Sequence, residues 1–540
     1  MKQRACRGEG ANNENRKNNA CTAILGRFLS NSYLPHSDTS TLSEKTVGDS
    51  NGPALKFDRA ERRAGKVPFW TKFTQGFSAL PGGHKDFAFN TLLLLYYSQV
   101  LGLPASMVSI VLAISLVFDA ISDPMAGAFS DSYRSRLGRR HTLMLMAILP
   151  SCGAMYALFV PPENLSTAAL AVWLLVSTIT LRVSFSFFAV PWGAIAAELS
   201  EDYDERTEII AYRMLIGLVG GGLFIWFIYG AFPASENYEN GLFNAKNYRP
   251  FALIVSALMF VWMTFSTVAT IDQIKYLPQP SGEVPKIAPK DMLFRVIEAL
   301  RNTYFRVLFI ATLVASAVIS TGQVFDTYMN TFFWGFGPTE LRWFSFAIIG
   351  MLLTILTIRP LQARFEKRDL VLAAIVSISV LQVLKVSLRF AGWLPENGDP
   401  LLLQILVLHA IFTGYFVSLT LMMFASMMAD IADHQELQNG LRQEGVFSGG
   451  IAFSGKMTNG FGLILGGLLL EFVIVFPTGL QPGEVAEDVL IRMAVIDGII
   501  MPALNLIPFL LLLKYKLDRA AVLGIQNELN ARRQSAQERH

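Results

Sequence analysis

Charge is scarce in this chain, and so are cysteine and histidine. Only 16% of its 540 residues are Asp, Glu, Lys or Arg, against about 25% in an average soluble domain. The net charge of +3 leaves no basic surplus for a nucleic-acid partner. Three cysteines, Cys6, Cys21 and Cys152, offer neither a disulfide framework nor metal-ligand spacing. Six scattered histidines make no proton relay, and no nucleophile–base pair stands out, so the sequence does not read as an enzyme. A cleavable signal peptide is missing too: the segment 1–70 is polar, with no sustained apolar core.

What is abundant is apolar surface. Hydrophobic residues make up 52% of the chain, and mean hydropathy is +0.41. From about residue 73 to 513, apolar stretches of about 20 residues recur about twelve times, each long enough to cross a hydrocarbon core of about 30 Å. The expected class is all-α integral membrane. The segment 1–70, rich in Asn, Arg, Ser and Gly, cannot bury enough apolar surface to fold alone and reads as a disordered tail. An even number of spans puts both termini on one side. Arg134, Arg136, Arg139 and Arg140 follow the second stretch, and Arg359, Arg364, Lys367 and Arg368 follow the eighth. The turn 102–104 and the segment 481–489 hold no Lys or Arg. By the positive-inside rule both termini are cytoplasmic, which suits a multi-pass protein of the plasma (inner) membrane.

The loops also repeat. Arg134 in the first half is answered by Arg364 in the second. The acidic loop around Asp204 and Arg206 is echoed around Asp433 at nearly the same offset. Two six-helix bundles related by a pseudo-two-fold repeat, 71–270 and 304–514, are therefore expected. A cytoplasmic linker, 271–303, would join them, and a cytoplasmic tail, 515–540, would follow. This is the twelve-helix organisation of major-facilitator transporters, which bind substrate near mid-membrane between the halves.

Asp119 and Asp123 stand four positions apart inside the second stretch, so both carboxylates project from one helix face. A charge at bilayer depth costs roughly 2.5–3.5 kcal/mol on insertion scales, and two together require a cation or a cationic partner. Lys456 lies about ten residues into the eleventh stretch, roughly 15 Å deep, and so needs a carboxylate of its own. A coupling-cation site and a structural ion pair with Lys456 both remain open at this point.

Four blocks carry a family resemblance: "GGHKDFAFNTLLLLYYSQVLGL", "FDAISDPMAGAFSDSYRSRLGRR", "VPWGAIAAELSEDYDERTEIIAYRM" and "MMADIADHQELQNGLRQEGVFSGGIAFSGKMTNGFG". In that order, from residue 71 to 515, they resemble the glycoside–pentoside–hexuronide:cation symporters of the major facilitator superfamily, whose best-known member is melibiose permease. The resemblance implies symport coupled to Na+, Li+ or H+ by rocking of two bundles, with no cofactor beyond the coupling cation. It also implies cation binding at Asp119 and Asp123 (the metal ligands if the cation is Na+) beside Lys456. Substrate contacts would fall at Asp86 and Arg213, and a cytoplasmic gate would include Asp430, Asp433 and Arg442. Arg139, Asp204 and Arg206, in the matching loops of the first half, join that gate. One departure stands out. Melibiose permease has an aspartate two residues before the helix-four proline, and this chain has Ala189 before Pro191.

Trp192, next to that proline, is a candidate to stack on a sugar ring, with packing as its rival. Lys85 is placed to neutralise Asp86, and Arg213 to be an ordinary interfacial arginine. His409, deep in the tenth stretch, reads as a helix–helix hydrogen bond rather than a proton relay. Lys385, Arg389, Glu471 and Arg492 lie near outer helix ends, where polar heads reach water. The leading functional reading is cation-coupled symport of a sugar, glycoside or uronide by a monomer, with a small-molecule substrate and the bilayer as its partners. A cation-coupled carrier of a lysolipid or other amphiphile is the alternative, and a non-transporting membrane sensor the third.

Overall fold

The long apolar stretches become helices because a chain in lipid must satisfy its backbone hydrogen bonds within each span. The computed structural model describes residues 56–58, 63, 65–133, 135, 137–200, 202–277, 279–281, 302–439 and 461–537. Among them, ten helices are long and apolar enough to cross a membrane. They are α2 (Ala105–Ser132), α3 (Arg139–Phe159), α4 (Thr167–Glu198), α5 (Tyr203–Ile228) and α6 (Ala245–Val268). In the second half come α7 (Thr303–Tyr328), α8 (Ala347–Arg364), α9 (Lys367–Phe390), α10 (Pro400–Asn439) and α12 (Glu487–Leu512).

The remaining two expected spans are less regular. α1 covers 69–100 in pieces, α-helical over Phe69–Gly76 and Leu80–Phe87 and π-helical over Ala88–Leu93 and Tyr96–Val100. Pro81 has no N–H to offer the Phe77 carbonyl, and the helix tightens to a 3-10 turn over Phe77–Ala79 just before it. α11 is the shorter apolar helix Phe461–Val473. The starts of α4, α5, α6 and α7 are capped by polar side chains. The Ser166 hydroxyl accepts from Ala169 N at 3.3 Å for α4, and Asp202 accepts from Glu205 N at 2.8 Å for α5.

α1 to α6 pack on one another, chiefly α2 and α3 on α4, α6 on α3 and α5 on α1. In the second half α8 and α9 pack on α10, and α12 on α7 and α9. This is the major facilitator fold. Among the described residues, bridges between the halves fall at the end away from the termini. Ser106 N donates to Glu471 Oε2 at 2.7 Å, Gln99 Nε2 to the Pro477 carbonyl at 3.2 Å, and Trp226 meets Trp343 edge-on at 4.9 Å. Gly467 of α11 is pressed against α2, where a Cβ would lie 2.8 Å from the Ala105 carbonyl. One apolar core runs through α1–α6 and into the far ends of α7, α11 and α12. A second core, around Phe305, Ile375 and Met427, belongs to the second half alone.

At the termini end, Lys56–Asp58 pair antiparallel with Gln279–Ser281. A further helix, α13 (Arg519–Gln537), occupies the stretch expected as a C-terminal tail and lies on α10. Its Gln526 Nε2 donates to Asp433 Oδ2 at 3.2 Å.

Candidate functional site

α2 brings Asp119 and Asp123 to one spot, and α4 supplies what meets them. The Ser186 hydroxyl lies 2.6 Å from Asp123 Oδ1 and 3.3 Å from Asp119 Oδ1, so a single oxygen touches both carboxylates. Ser122 Oγ, on the same stretch of α2, donates to Ser186 Oγ at 3.0 Å. Arg182, four positions before Ser186 on the same face of α4, places Nη1 3.5 Å from Asp119 Oδ2. Its guanidinium also lies 4.8 Å from the Phe89 ring centroid of α1, and its side chain is buried.

Sequence reasoning missed Arg182. Its signal was present: it is the sole charged residue between Glu163 and Glu198. Lys456 and Arg442 lie outside the described residues. Two carboxylates and a hydroxyl form an all-oxygen donor set, which suits a hard cation.

A cavity of about 570 Å³ lies between the halves, lined from α1, α5, α7, α8, α9, α10 and α12. Asp86 lines it, its carboxylate open to the cavity and 2.7 Å from Lys85 Nζ. Arg213 and Trp192 are also brought together, but elsewhere. The Arg213 guanidinium stacks 3.7 Å from the Trp192 ring centroid, and neither residue is among the cavity lining. The indole N–H of Trp192 is engaged by the Gln75 carbonyl of α1 at 3.2 Å. Ala189 does not line the cavity either.

The second half contributes charges whose meeting the sequence did not foretell. Lys385, expected to reach water near a helix end, is instead buried on α9, with Nζ 3.5 Å from the buried Asp497 Oδ2 of α12. Asp326 of α7 lines the same cavity. Asp326 is the sole acid from Thr303 to Phe333, and Asp497 the sole charge between Arg492 and Lys514, so each could have been noticed. His409 of α10 lines the cavity and lies against the Leu381 backbone of α9.

Of the expected gate residues, Arg139 and Asp430 sit in ion pairs within their own halves. Arg139 binds Asp131 Oδ1 at 3.0 Å and Glu198 Oε1 at 2.8 Å, and Arg140 binds the same Glu198. In the second half Lys367 holds Asp430 of α10 at 2.6 Å. Lys367 opens α9 as Arg139 opens α3, so the loop repeat reappears as matched pairs at corresponding helix ends. Arg206 Nε is spent on the Ser200 carbonyl at 2.6 Å, and Asp204 is exposed at the start of α5. Lys72, buried at the start of α1, bridges Glu205 at 3.0 Å and Glu208 at 2.6 Å. That pairing was not anticipated.

A family model described as MFS/sugar transport protein matches residues 74–519. The chain is 23% identical to the putative glycoside/cation symporter YagG of Escherichia coli (strain K12), over 81% of this chain and 90% of that protein. It is 22% identical to the sphingosine-1-phosphate transporter MFSD2B of Mus musculus, over 88% of this chain and 95% of that protein. Among solved structures it resembles the nucleoside transporter NupG, with a TM-score of 0.55 at 14% identity over 83% of this chain and 99% of that one.

Proposed function

The chain belongs to the MFS/sugar transport protein family, and on that premise we propose that it is a symporter of a sugar or glycoside driven by Na+ or H+. The family and the fold are those of multi-pass membrane transporters rather than of enzymes. In this reading Asp119 and Asp123 hold the coupling cation, with the Ser186 hydroxyl as a third oxygen. Arg182 balances part of their charge. The substrate occupies the cavity between the halves, beside Asp86. Alternating access comes from rocking of α1–α6 against α7–α12. The ion pairs at the termini ends of α3/α4 and α9/α10 keep each half rigid as it moves. The chain acts as a monomer in the plasma (inner) membrane, both termini cytoplasmic, as the loop charges suggest.

The observation that carries the coupling role is the shared serine. Two carboxylates converging on one hydroxyl gather hard oxygen donors at a single point inside the membrane, the set that a small hard cation takes. Uptake into proteoliposomes under imposed Na+ or H+ gradients tests it. The wild type accumulates a glycoside when one of those gradients is present, and Asp123→Asn does not. Accumulation that ignores both gradients rejects the proposal.

A carrier of an amphiphile is the second reading. An apolar hollow of about 520 Å³ favours it, bounded by Leu80 of α1, Leu223 of α5 and Trp262 of α6. Lysolipid uptake in the same vesicles, with none of glycosides, would support it.

A further inference from the structure

The wall of the cavity built by α9, α10 and α12 is lined with polar atoms that have nothing to bond. Gln382 Oε1, His409 Nε2, Thr413 Oγ1 and Asp497 Oδ2 are buried without a hydrogen-bond partner among the described residues, and all four side chains line the cavity. Nε2 is the idle nitrogen of His409. Asp497 is 4% exposed, and its Oδ2 faces the Lys385 ammonium at 3.5 Å. A buried acceptor left without a donor costs a desolvation penalty. Such acceptors around one space, beside a Thr413 hydroxyl that can give or take a hydrogen bond, call for an occupant that brings donors.

Charge narrows that occupant further. Among the described residues, the charged side chains lining the cavity are Asp86, Asp326, Asp497 and Lys385, three negative and one positive. Lys85 offsets Asp86 from behind at 2.7 Å. The second-half wall still keeps two carboxylates against one ammonium, inside a low-dielectric membrane where like charges repel strongly.

We propose that this wall is the selecting subsite of the transporter, taking an uncharged, hydroxyl-rich ligand whose O–H groups donate to Gln382, His409 and Asp497, and turning away carboxylate-bearing counterparts. This deepens the sugar-symport reading and rests on it for the ligand class. It places specificity in the second half, opposite the acid pair of α2. Asp326, open to the cavity, acts as the anion-repelling charge, and Lys385 holds Asp497 in place.

The test is equilibrium binding to the purified full-length protein. Methyl galactoside, methyl glucoside and methyl xyloside are compared with methyl galacturonide and methyl glucuronide, by calorimetry and by ligand-induced shift of the melting temperature. At least one neutral glycoside binds, and its uronide counterpart binds about tenfold more weakly or worse. Gln382→Leu and Asp497→Asn each weaken the neutral ligand by about tenfold. Asp326→Asn narrows the gap between that ligand and its uronide counterpart to about threefold or less. Should Asp497→Asn fail to fold, Gln382→Leu and Asp326→Asn decide the matter. Equal or tighter binding of the uronide overturns the proposal, as does neutral binding indifferent to both wall substitutions, or no glycoside binding at all. Selective neutral binding together with uptake that ignores Na+ and H+ gradients would remove the symport reading and leave this one standing. Gradient-driven uptake with the uronide preferred would do the reverse.

Discussion

The Ser186 hydroxyl of α4 lies 2.6 Å from Asp123 Oδ1 of α2, and the same oxygen is 3.3 Å from Asp119 Oδ1. This contact ties the helix that carries the acid pair to its neighbour. A hydrogen bond to a charged group contributes about 1.5–3 kcal/mol, or roughly ten- to a hundredfold in an equilibrium constant. Ser186→Ala is small enough to leave the fold intact. It should raise the cation concentration needed for half-maximal uptake by about tenfold, while the apparent affinity for substrate at saturating cation stays within about twofold. Unchanged cation dependence would mean that Ser186 only packs.

Arg182 is buried 3.5 Å from Asp119. Breaking a buried pair by removing one partner costs about 3–5 kcal/mol, because the other charge is left behind. Arg182→Ala should therefore lower the melting temperature of the purified protein markedly in the absence of Na+ at neutral pH. A rise in Na+ or a drop in pH should recover part of that loss, since either supplies the missing positive charge. Arg182→Lys should fall between the two. If neither cation restores stability in Arg182→Ala, the arginine is not compensating the acid pair.

At the termini end, Glu198 serves both Arg139 and Arg140, whose side chains are buried. Glu198→Gln leaves two buried guanidinium groups leaning on the partly exposed Asp131. A loss of about 3 kcal/mol or more is expected. Asp204→Asn, at an exposed site, should change stability by less than about 0.5 kcal/mol. Thermal unfolding of the two variants side by side separates a structural clamp from a solvated loop charge. Equal effects would contradict the geometry.

α2 and α11 approach closely at Gly467, where an added Cβ would strike Ser109 and come within 2.8 Å of the Ala105 carbonyl. Only a residue without a side chain permits that approach. Gly467→Val should force the far ends of the two halves apart. A cysteine placed at Ser106, which closes against Glu471 of α11 at 2.7 Å, should then react faster with a membrane-impermeant thiol reagent. Labelling as slow as in the parent would mean that the halves absorb the methyl groups by local shifts.

The spans, the acid pair and the loop repeat were legible in the sequence because each is a short-range property. Hydropathy over about 20 residues fixes whether a stretch enters the bilayer, and a spacing of four fixes that Asp119 and Asp123 share a face. The tightened turn before Pro81 in α1 has an equally local cause. By contrast, Trp192 and Arg213 were each read as a candidate substrate contact, with packing and an interfacial role as the rivals, and that they stack on each other was not foreseen. Which face of α4 turns toward α5 is settled by packing among all the neighbouring helices, and no single helix sequence states it.

The lone charges make the same point. Arg182, Lys385 and Asp497 were each readable as a charge in an apolar span, yet the partners found for them lie on other helices. Arg182 of α4 meets Asp119 of α2, and Lys385 of α9 meets Asp497 of α12. Composition and periodicity by themselves determined that this chain lives in a membrane as a repeated set of helices with a buried acid pair. The tertiary structure alone decided which charges neutralise one another and which polar atoms face the cavity without partners. The physical reason is that in lipid every isolated charge must find a partner, and only the rotation and crossing of packed helices sets which one lies within reach.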